Sequence, residues 1–257
     1  MEGAPGRGGD GVVVVVIIPV LNEEDSIGEV VGTIPRDLVS QVVVADGGST
    51  DRTAERARDA GAEVIAAGRG YGRACLAGAE RAGVAGDDIL VFMDGDGADD
   101  PGSIESLVAP IRAGGHDFVI GSRTRGRREP GSMAWHQVAA GRLAGRMVQA
   151  LYGVRYTDMC AFRAIRRDTL LDLGMRELTY GWNLEMQMRA ARAGLRVLEI
   201  PVASRRRIGG TSKVSGSLPG TVRAGGRIVA AFARVAAEAA PARRRHLDAG
   251  GGERPAC

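Results

Sequence analysis

The sequence has few cysteines and no long apolar run. Its three cysteines, Cys75, Cys160 and Cys257, lie far apart and match no zinc or redox spacing, which is typical of a reducing compartment. No segment reaches the roughly 18–20 consecutive apolar residues that a membrane span requires. The N-terminal segment MEGAPGRGGDG lacks the apolar core of a signal peptide. We therefore expect a cytoplasmic protein that is soluble or bound peripherally at the inner face of the membrane.

The sequence also lacks a strong excess of charge. Lys+Arg 34 against Asp+Glu 31 gives a formal net charge of +3, too small to indicate nucleic acid binding, and we predict no nucleic acid partner. The arginines are instead concentrated at 123–128, 163–167 and 205–207. Such clusters are usually solvated surface, but they also suit a protein that binds phosphorylated substrates.

Strand-like and helix-like segments alternate along the chain. Apolar, β-branched runs typical of buried strands occur at 11–18, 41–45, 87–93 and 117–121 and near 195–202. Helices are predicted from Ile27, Val30, Val31 and Ile34, at 136–151 and at 183–193. This order predicts a single α/β domain whose open, mostly parallel sheet is flanked by helices.

The predicted domain spans 11–216 and is followed by an amphipathic helix at 217–238. Residues 1–10 and 239–257 are rich in Gly, Pro and Arg, which predicts disordered tails. The amphipathic helix is Ala-rich and carries arginines, so it suits either a membrane surface or packing against the core.

Polar motifs follow the predicted strands, where sheets of this kind bind ligands. In DGDGADDP, Asp94 and Asp96 are two residues apart, so in an extended segment both carboxylates face one point. Two such carboxylates repel each other unless a cation lies between them, and Mg²⁺ or Mn²⁺ shared with substrate phosphates is the expected ion. A solvated Asp/Gly turn is the alternative interpretation.

A second motif, ADGGSTD, follows the second strand. Gly47 and Gly48 allow close approach of a ligand to the backbone, and Asp46 would accept hydrogen bonds from a base or ribose. Helix capping alone explains the remaining polar residues of this motif.

With these motifs in this order, the sequence resembles the large inverting family 2 glycosyltransferases of the GT-A fold. Within that family it resembles the branch of dolichyl- and undecaprenyl-phosphate mannosyl- and glucosyltransferases. The matching segments lie between about 12 and 216 and are VVIIPVLNEE, VVVADGGSTDRT, ILVFMDGDGADDP, FVIGSR, TDMCAFRAIRRD and RRRIGGTSKVSG. The resemblance implies metal-dependent transfer of a hexose from a nucleotide-diphosphate sugar, of GDP-mannose or UDP-glucose type, to a polyprenyl phosphate.

The resemblance also implies roles for individual residues on the donor side. Pro19 and Glu23 would line the nucleotide pocket, and Asp46 would bind the base. Asp94 and Asp96 would hold the metal and the donor diphosphate. Ala98 stands where many relatives have Gln, which predicts weaker metal binding or a contribution from one of the next two residues, Asp99 and Asp100.

The resemblance implies a further group of residues facing the phosphates: Arg123, Arg163, Arg207, Ser212 and Lys213. Arg163, Ser212 and Lys213 would bind the donor, and the segment from Arg207 to Lys213 would lie near both the donor diphosphate and an acceptor phosphate. Of these, Arg123 and Arg207 would act in catalysis together with Asp96. A phosphate acceptor is already anionic and needs no base, whereas a hydroxyl acceptor needs a carboxylate. Glu185 is the candidate base for that case, and Asp158 is the second.

Three alternatives differ in chemistry. The same donor could serve a soluble hydroxyl acceptor, or the protein could bind a nucleotide sugar without turnover. A nucleotidyltransferase of the same fold is disfavoured, because PVLNEE stands where those enzymes carry a Gly-rich loop with Arg or Lys.

Overall fold

The elements that position the site are seen in a computed structural model, which describes residues 11–82, 87–209 and 218–238. The strands are β1 (Val14–Val20), β2 (Gln41–Asp46), β3 (Glu63–Ala66), β4 (Ile89–Phe92), β5 (Phe118–Ser122), β6 (Arg163–Arg166) and β7 (Val197–Pro201). The helices are α1 (Ile27–Gly32), α2 (Thr53–Asp59), α3 (Tyr71–Arg81), α4 (Ile104–Arg112), α5 (Trp135–Tyr152), α6 (Arg167–Asp172), α7 (Trp182–Arg192) and α8 (Leu218–Ala237). The predicted disordered tails, and Ser212 and Lys213, lie outside the described residues.

All strands belong to a seven-stranded sheet in the order β3-β2-β1-β4-β6-β5-β7. Neighbouring strands are parallel except around β6, which runs antiparallel to both β4 and β5. Every residue of β1 is buried, as expected for a central strand covered by helices on both faces. The predicted fold class, an open and mostly parallel α/β sheet in one domain, is confirmed.

The strand order reverses next to β1. From β1 the chain adds β2 and then β3 on one side, while β4 pairs with β1 on the other side, with Ile17 opposite Phe92. The loops that follow β1 and β4 therefore leave the same edge of the sheet side by side. In open α/β sheets the crevice at such a reversal is where ligands bind.

The helices begin and end near the predicted positions. Helix α1 buries Ile27, Val30 and Val31, three of the four positions predicted from the periodicity. The fourth, Ile34, is buried as well but lies just after the helix ends at Gly32. Helix α8 packs against α7 and buries Ala231 and Val235, so this part of it covers the core. No helix in the described part of the chain combines the length and apolar content needed to cross a membrane.

Candidate active site

A cavity of about 500 Å³ opens at the carboxyl ends of β1 and β4. Its volume lies in the range of about 300–1,000 Å³ that is usual for small-molecule sites. The loop after β1 contributes Glu23 and the loop after β4 contributes Asp94 and Asp96, while Pro19 lies within β1. The far wall is formed by the first turns of α5 and α7 and by Ile228 of α8. The structure thus brings these predicted residues together.

The loop that carries the two aspartates is a tight turn held by its own carboxylates. Gly97 has a φ of 79°, a left-handed conformation that glycine adopts without strain. Asp96 Oδ1 accepts the N–H of Ala98 at 2.9 Å, and Asp99 Oδ2 accepts the N–H of Asp94 at 3.1 Å. The two features expected from this motif, a tight turn and neighbouring carboxylates, are therefore both present.

A basic segment that follows β7 closes on this loop. Arg207 Nη2 lies 2.9 Å from Asp96 Oδ2. The backbone joins the same two segments, because the N–H of Ile208 donates to Asp96 O and the N–H of Arg205 donates to Ala98 O, each at 3.0 Å. Arg207 also lines the cavity. Both oxygens of Asp96 are therefore held in fixed directions.

The carboxylates of this loop lie close enough to repel one another. Burial, and then the negative charges of Asp96 and Asp99, raise the pKa of Asp94 to about 8, against the opposing effect of Arg123 and Arg207. A cation beside Asp94 would remove this repulsion, which fits a divalent metal. Within the described ranges, no group of three or more His, Cys, Asp or Glu side chains is arranged to hold a metal. The remaining ligands of such an ion would have to come from substrate phosphates and water, as is usual for Mg²⁺.

Arg123 and Asp158 form a bidentate ion pair in the cavity wall. Arg123 donates from Nε to Asp158 Oδ2 and from Nη2 to Oδ1, each at 2.9 Å, and its backbone N–H also donates to Oδ2. Burial alone raises the pKa of Asp158, but the hydrogen bonds and charge of Arg123 outweigh it and hold the pKa below its usual range. Asp158 is therefore a firmly ionised partner of Arg123, and a low pKa makes it a weak base.

Asp46 lies just outside the cavity and stabilises its own turn. Its Oδ1 accepts the N–H of Gly48, the N–H of Ser49 and the hydroxyl of Ser49. Its neighbour Gly47 does line the cavity. The predicted base contact of Asp46 would have to come from its other oxygen or through this turn.

Asp99 and Asp100 do not line the cavity. Asp99 is 5% exposed and accepts the N–H of Asp94. Asp100 Oδ1 accepts the N–H of Gly102 and pairs with Arg205. Both therefore shape the loop, and the structure does not support the prediction that one of them replaces the missing Gln ligand.

Arg163 does not face the cavity, which corrects the predicted phosphate contact. Its side chain is completely buried and donates to the carbonyl oxygens of Cys160 and Asn183. Its guanidinium carbon lies 5.8 Å from the ring centre of Phe118. Arg163 therefore fastens the loop before β6 to the start of α7.

Glu185 is also turned away from the cavity, which corrects its predicted role as a base. It is completely buried, and its Oε2 accepts the backbone N–H groups of Arg176 and Glu177 at 3.0 and 2.6 Å. Its Oε1 accepts Arg189 Nε at 2.9 Å and lies 3.6 Å from Arg234 of α8. Because both of its carboxylate oxygens are bonded inside the core, Glu185 has a structural role and holds these neighbouring segments together.

Several cavity residues were not predicted from the sequence. Tyr71 and Asn183 both line the cavity and carry side chains that can form hydrogen bonds. Arg69 and Tyr71 follow β3, and a position after a strand of the sheet indicates a candidate ligand-binding residue. They were missed because β3 is too short to be recognised in the sequence. His136 of α5 carries no sequence signal, since only the fold brings α5 to the cavity.

Comparison of sequences relates the chain to known enzymes. Residues 15–174 match the model of the family described as glycosyl transferase family 2. The chain is 38% identical over 215 residues to an uncharacterized glycosyltransferase of Mycobacterium tuberculosis, covering 81% of this chain and 93% of that protein. It is 35% identical over 224 residues to the undecaprenyl-phosphate mannosyltransferase of Micrococcus luteus, covering 80% of this chain and 89% of that enzyme.

Comparison of structures gives a similar result for the fold. The chain is similar to glucosyl-3-phosphoglycerate synthase from Mycobacterium tuberculosis in complex with Mn²⁺, UDP-Glc and phosphoglyceric acid, with a TM-score of 0.67 and 22% sequence identity. The similarity covers 88% of this chain and 80% of that enzyme. At this level of identity the likeness concerns the fold.

Proposed function

The chain belongs to glycosyl transferase family 2, and we propose that it is a metal-dependent inverting transferase that moves a hexose from a nucleotide-diphosphate sugar to a polyprenyl phosphate. The family and the GT-A fold are those that the sequence resemblance implied. The observation that carries the proposal is the pair Asp94 and Asp96, which follows β4 and lines a cavity at the reversal of the strand order.

The donor side of the proposal rests on the carboxylate pair and its surroundings. Asp94 and Asp96 would hold Mg²⁺ or Mn²⁺ together with the diphosphate of the donor, which is of GDP-mannose or UDP-glucose type. The metal would supply positive charge to the departing nucleoside diphosphate. Glu23 and Pro19 border the cavity at the end of β1, where the nucleoside would lie. The structural neighbour with Mn²⁺ and UDP-Glc supports a donor of this class.

The proposed class of acceptor depends on whether an acidic residue of the cavity could act as a general base. Among the described residues, the acidic side chains that line the cavity are Glu23, Asp94, Asp96 and Asp158. Glu23 lies after β1, on the side proposed for the nucleoside, Asp94 and Asp96 would hold the metal, and Asp158 is ionised and paired with Arg123. A hydroxyl acceptor needs a base to remove its proton, whereas a phosphate is already nucleophilic near neutral pH. A phosphate acceptor suits this set of residues better.

Basic side chains would position the reactants for an in-line displacement. The phosphate oxygen of the acceptor would attack the anomeric carbon on the face opposite the departing diphosphate, which inverts its configuration. Arg207, beside Asp96, would contact the phosphates of the donor, and Arg123 would face the acceptor phosphate. Paired N–H donors of arginine are well suited to phosphate oxygens. The similarity to an undecaprenyl-phosphate mannosyltransferase supports this class of acceptor.

A second candidate is transfer from the same type of donor to a soluble acceptor. The observation that favours it is the structural neighbour, which is crystallised with phosphoglyceric acid. Binding of a nucleotide sugar without turnover is a more remote alternative, because Asp94 and Asp96, which metal-dependent transfer would need, are both present.

An assay that separates these candidates uses the purified protein, Mn²⁺ or Mg²⁺, and radiolabelled GDP-mannose or UDP-glucose. Reactions with and without polyprenyl phosphate are partitioned between organic solvent and water. The proposal predicts label in the organic phase only when metal and polyprenyl phosphate are both present. Label that stays in water while nucleoside diphosphate is released to soluble acceptors would favour the second candidate, and nucleotide binding without turnover would favour the third.

A further inference from the structure

Glu199 carries a largely buried carboxylate on the last strand of the sheet. It lies in β7 opposite Ile120 of β5, its side chain is 8% exposed, and it does not line the cavity. Burial of a carboxylate is costly unless its oxygens accept hydrogen bonds. The groups that donate to Glu199 therefore indicate what this side chain does.

The carboxylate of Glu199 binds the backbone of the segment that carries Asp158. Its Oε1 accepts the N–H groups of Thr157 and Asp158 at 2.8 and 3.3 Å, and its Oε2 accepts the hydroxyl of Thr157 at 2.7 Å. Hydrogen bonds to a carboxylate are roughly twice as strong as those between neutral groups. Glu199 therefore fixes two consecutive peptide groups in a segment that is neither helix nor strand.

The Thr157 hydroxyl extends this connection to the end of β5. Because its proton is donated to Glu199, the Thr157 oxygen accepts the hydroxyl of Ser122, whose oxygen lies 2.7 Å away. Ser122 is the last residue of β5, and Arg123 follows it directly. A single carboxylate thus joins β7, the segment before β6 and the residue that precedes Arg123.

Asp158 completes the connection to the cavity. Its N–H donates to Glu199, while its carboxylate accepts the Nε, Nη2 and backbone N–H groups of Arg123. On the other side of the segment, Gln187 Nε2 donates to the carbonyl oxygen of Asp158. Asp158 and Arg123 line the cavity, whereas Glu199 and Thr157 do not. The direction of the Arg123 guanidinium therefore depends on backbone that Glu199 holds from outside the cavity.

We propose that Glu199 is a positioning residue of the transfer reaction: through Thr157 and Asp158 it keeps the Arg123 guanidinium turned towards the cavity, where the acceptor phosphate would lie. This inference rests on the proposed function and extends it to a residue outside the cavity. Arginine binds phosphate through paired N–H donors in one plane, and misplacement of a binding group by about 1 Å can cost about 100-fold in rate. The effect of Glu199 should therefore fall on the acceptor and spare the donor.

Two substitutions of Glu199 test the role of its hydrogen bonds. Glu199→Leu keeps most of the bulk but leaves the N–H groups of Thr157 and Asp158 without this acceptor. We expect kcat/KM for polyprenyl phosphate to fall about tenfold or more, while KM for the donor sugar stays within about twofold of the wild type. Glu199→Gln keeps one oxygen for these N–H groups, and its amide can donate to the Thr157 oxygen, so kcat/KM should stay within about threefold of the wild type.

Arg125→Gln is the matched control. Arg125 is half-exposed, donates to the backbone oxygen of Glu199 at 2.6 Å and lies 3.8 Å from its Oε2, but it does not line the cavity. Its removal changes the charge beside Glu199 and leaves the bonds from Thr157 and Asp158 to the carboxylate in place. Both KM values of this variant should match those of the wild type.

A measurement that needs no turnover is ¹⁵N NMR of the arginine Nε–H groups in the full chain. The Nε–H of Arg123 donates to Asp158, so its proton should exchange slowly with water, and its signal is identified by its loss in Arg123→Lys. In Glu199→Leu this exchange should be about tenfold faster, and in Glu199→Gln it should stay slow. The Nε–H of Arg189, which donates to Glu185 Oε1 inside the core, is the internal reference and should be unchanged. A merely structural role for Glu199 would speed both exchanges or neither.

The positioning role would be overturned by Glu199→Leu that is folded, as judged by thermal melting, and keeps the wild-type acceptor kinetics and slow Arg123 exchange. Equal impairment of Glu199→Gln and Glu199→Leu would also overturn it. If Glu199→Leu does not fold, Thr157→Val, which removes the hydroxyl between Glu199 and Ser122, takes its place, and we expect changes of about threefold in the same direction. No change in that variant would contradict the role.

The outcome for the proposed function is separate. Wild-type protein that transfers no hexose to polyprenyl phosphate would contradict the proposed acceptor, whatever the behaviour of the Glu199 variants. The exchange of the Arg123 Nε–H would still decide whether Glu199 positions Arg123. Normal transfer by the wild type together with unchanged Glu199→Leu would contradict the positioning role alone.

Discussion

Arg207 Nη2 lies 2.9 Å from Asp96 Oδ2, so the basic segment after β7 is tied to the carboxylate loop after β4. Residues more than a hundred positions apart thus meet at the point where the strand order reverses. The pair brings fixed positive charge to the place where a diphosphate would leave, and such pre-positioned charge is a main source of catalysis in transfer reactions.

Asp96→Asn should abolish transfer while leaving the fold intact. We expect kcat/KM to fall about 100-fold or more, because the variant loses a metal-binding charge that is needed in the transition state. Asp100→Asn, in the same loop but outside the cavity, is the control and should change kcat/KM only a few-fold. Unchanged turnover of the Asp96 variant at saturating metal would refute the assignment.

Removal of divalent metal should stop the reaction and weaken donor binding. The ion would join Asp94 and Asp96 to the donor diphosphate, and this attraction is lost when the ion is removed, so EDTA should lower the affinity for nucleoside diphosphate in calorimetry about tenfold or more. Mn²⁺ or Mg²⁺ added back should restore both affinity and activity. Equal affinity with and without metal would show that the carboxylate pair does not bind a cation with the donor.

Asp158→Asn should destabilise the protein. Asp158 is 3% exposed and shares two hydrogen bonds with the Arg123 side chain, and breaking such a pair leaves a charge without its partner. We expect a loss of about 3 kcal/mol in the free energy of unfolding by urea. Asp117→Asn, which breaks a pair with the half-exposed Arg196, should lose about 1 kcal/mol or less. Equal losses in the two variants would argue against a structural role for the Arg123 pair.

The contribution of Asp158 should also depend on pH. Because its pKa in the folded state lies below the ordinary value of 3.8, the ionised pair stabilises the fold fully above that value. The contribution is lost as the pH falls from about 4 through the lowered pKa. The difference in unfolding free energy between wild type and Asp158→Asn should therefore shrink in acid, and a constant difference down to pH 2 would contradict this origin.

Glu185→Gln should affect stability and spare the chemistry. Glu185 is completely buried and paired with Arg189, so we expect a loss of about 3–5 kcal/mol in the free energy of unfolding. At a temperature where the variant is folded, kcat should stay within a few-fold of the wild type. A loss of 100-fold or more in kcat with unchanged stability would instead identify Glu185 as a base and favour a hydroxyl acceptor.

The fold and half of the site follow from local sequence patterns. The strands β1 and β4 are continuous apolar runs, and the motif that contains Asp94 and Asp96 follows β4 directly, so both could be located without a structure. The short strand β3 could not, because it has only four residues, of which three are partly buried and the last is exposed. The reversed direction of β6 depends on tertiary pairing with β4 and β5.

The errors concern the direction in which charged side chains point. Arg163 and Glu185 are charged residues within or near polar motifs, which made them candidates for the cavity, yet both are completely buried with partners inside the domain. From the sequence alone, a charged residue is assigned to the surface or to a functional site, because charged side chains are rarely buried without a partner. A pairing such as that of Glu185 with two backbone N–H groups is visible only in three dimensions.

The most direct test of the central claim is ³¹P NMR of polyprenyl phosphate during reaction with the donor sugar and Mg²⁺, which is diamagnetic and leaves the phosphorus signals sharp. Transfer to the phosphate converts the phosphomonoester signal into a phosphodiester signal and releases one nucleoside diphosphate for each diester formed. We predict this stoichiometric conversion for the wild type and none for Asp96→Asn. Release of nucleoside diphosphate while the phosphomonoester signal stays unchanged would contradict the proposed acceptor.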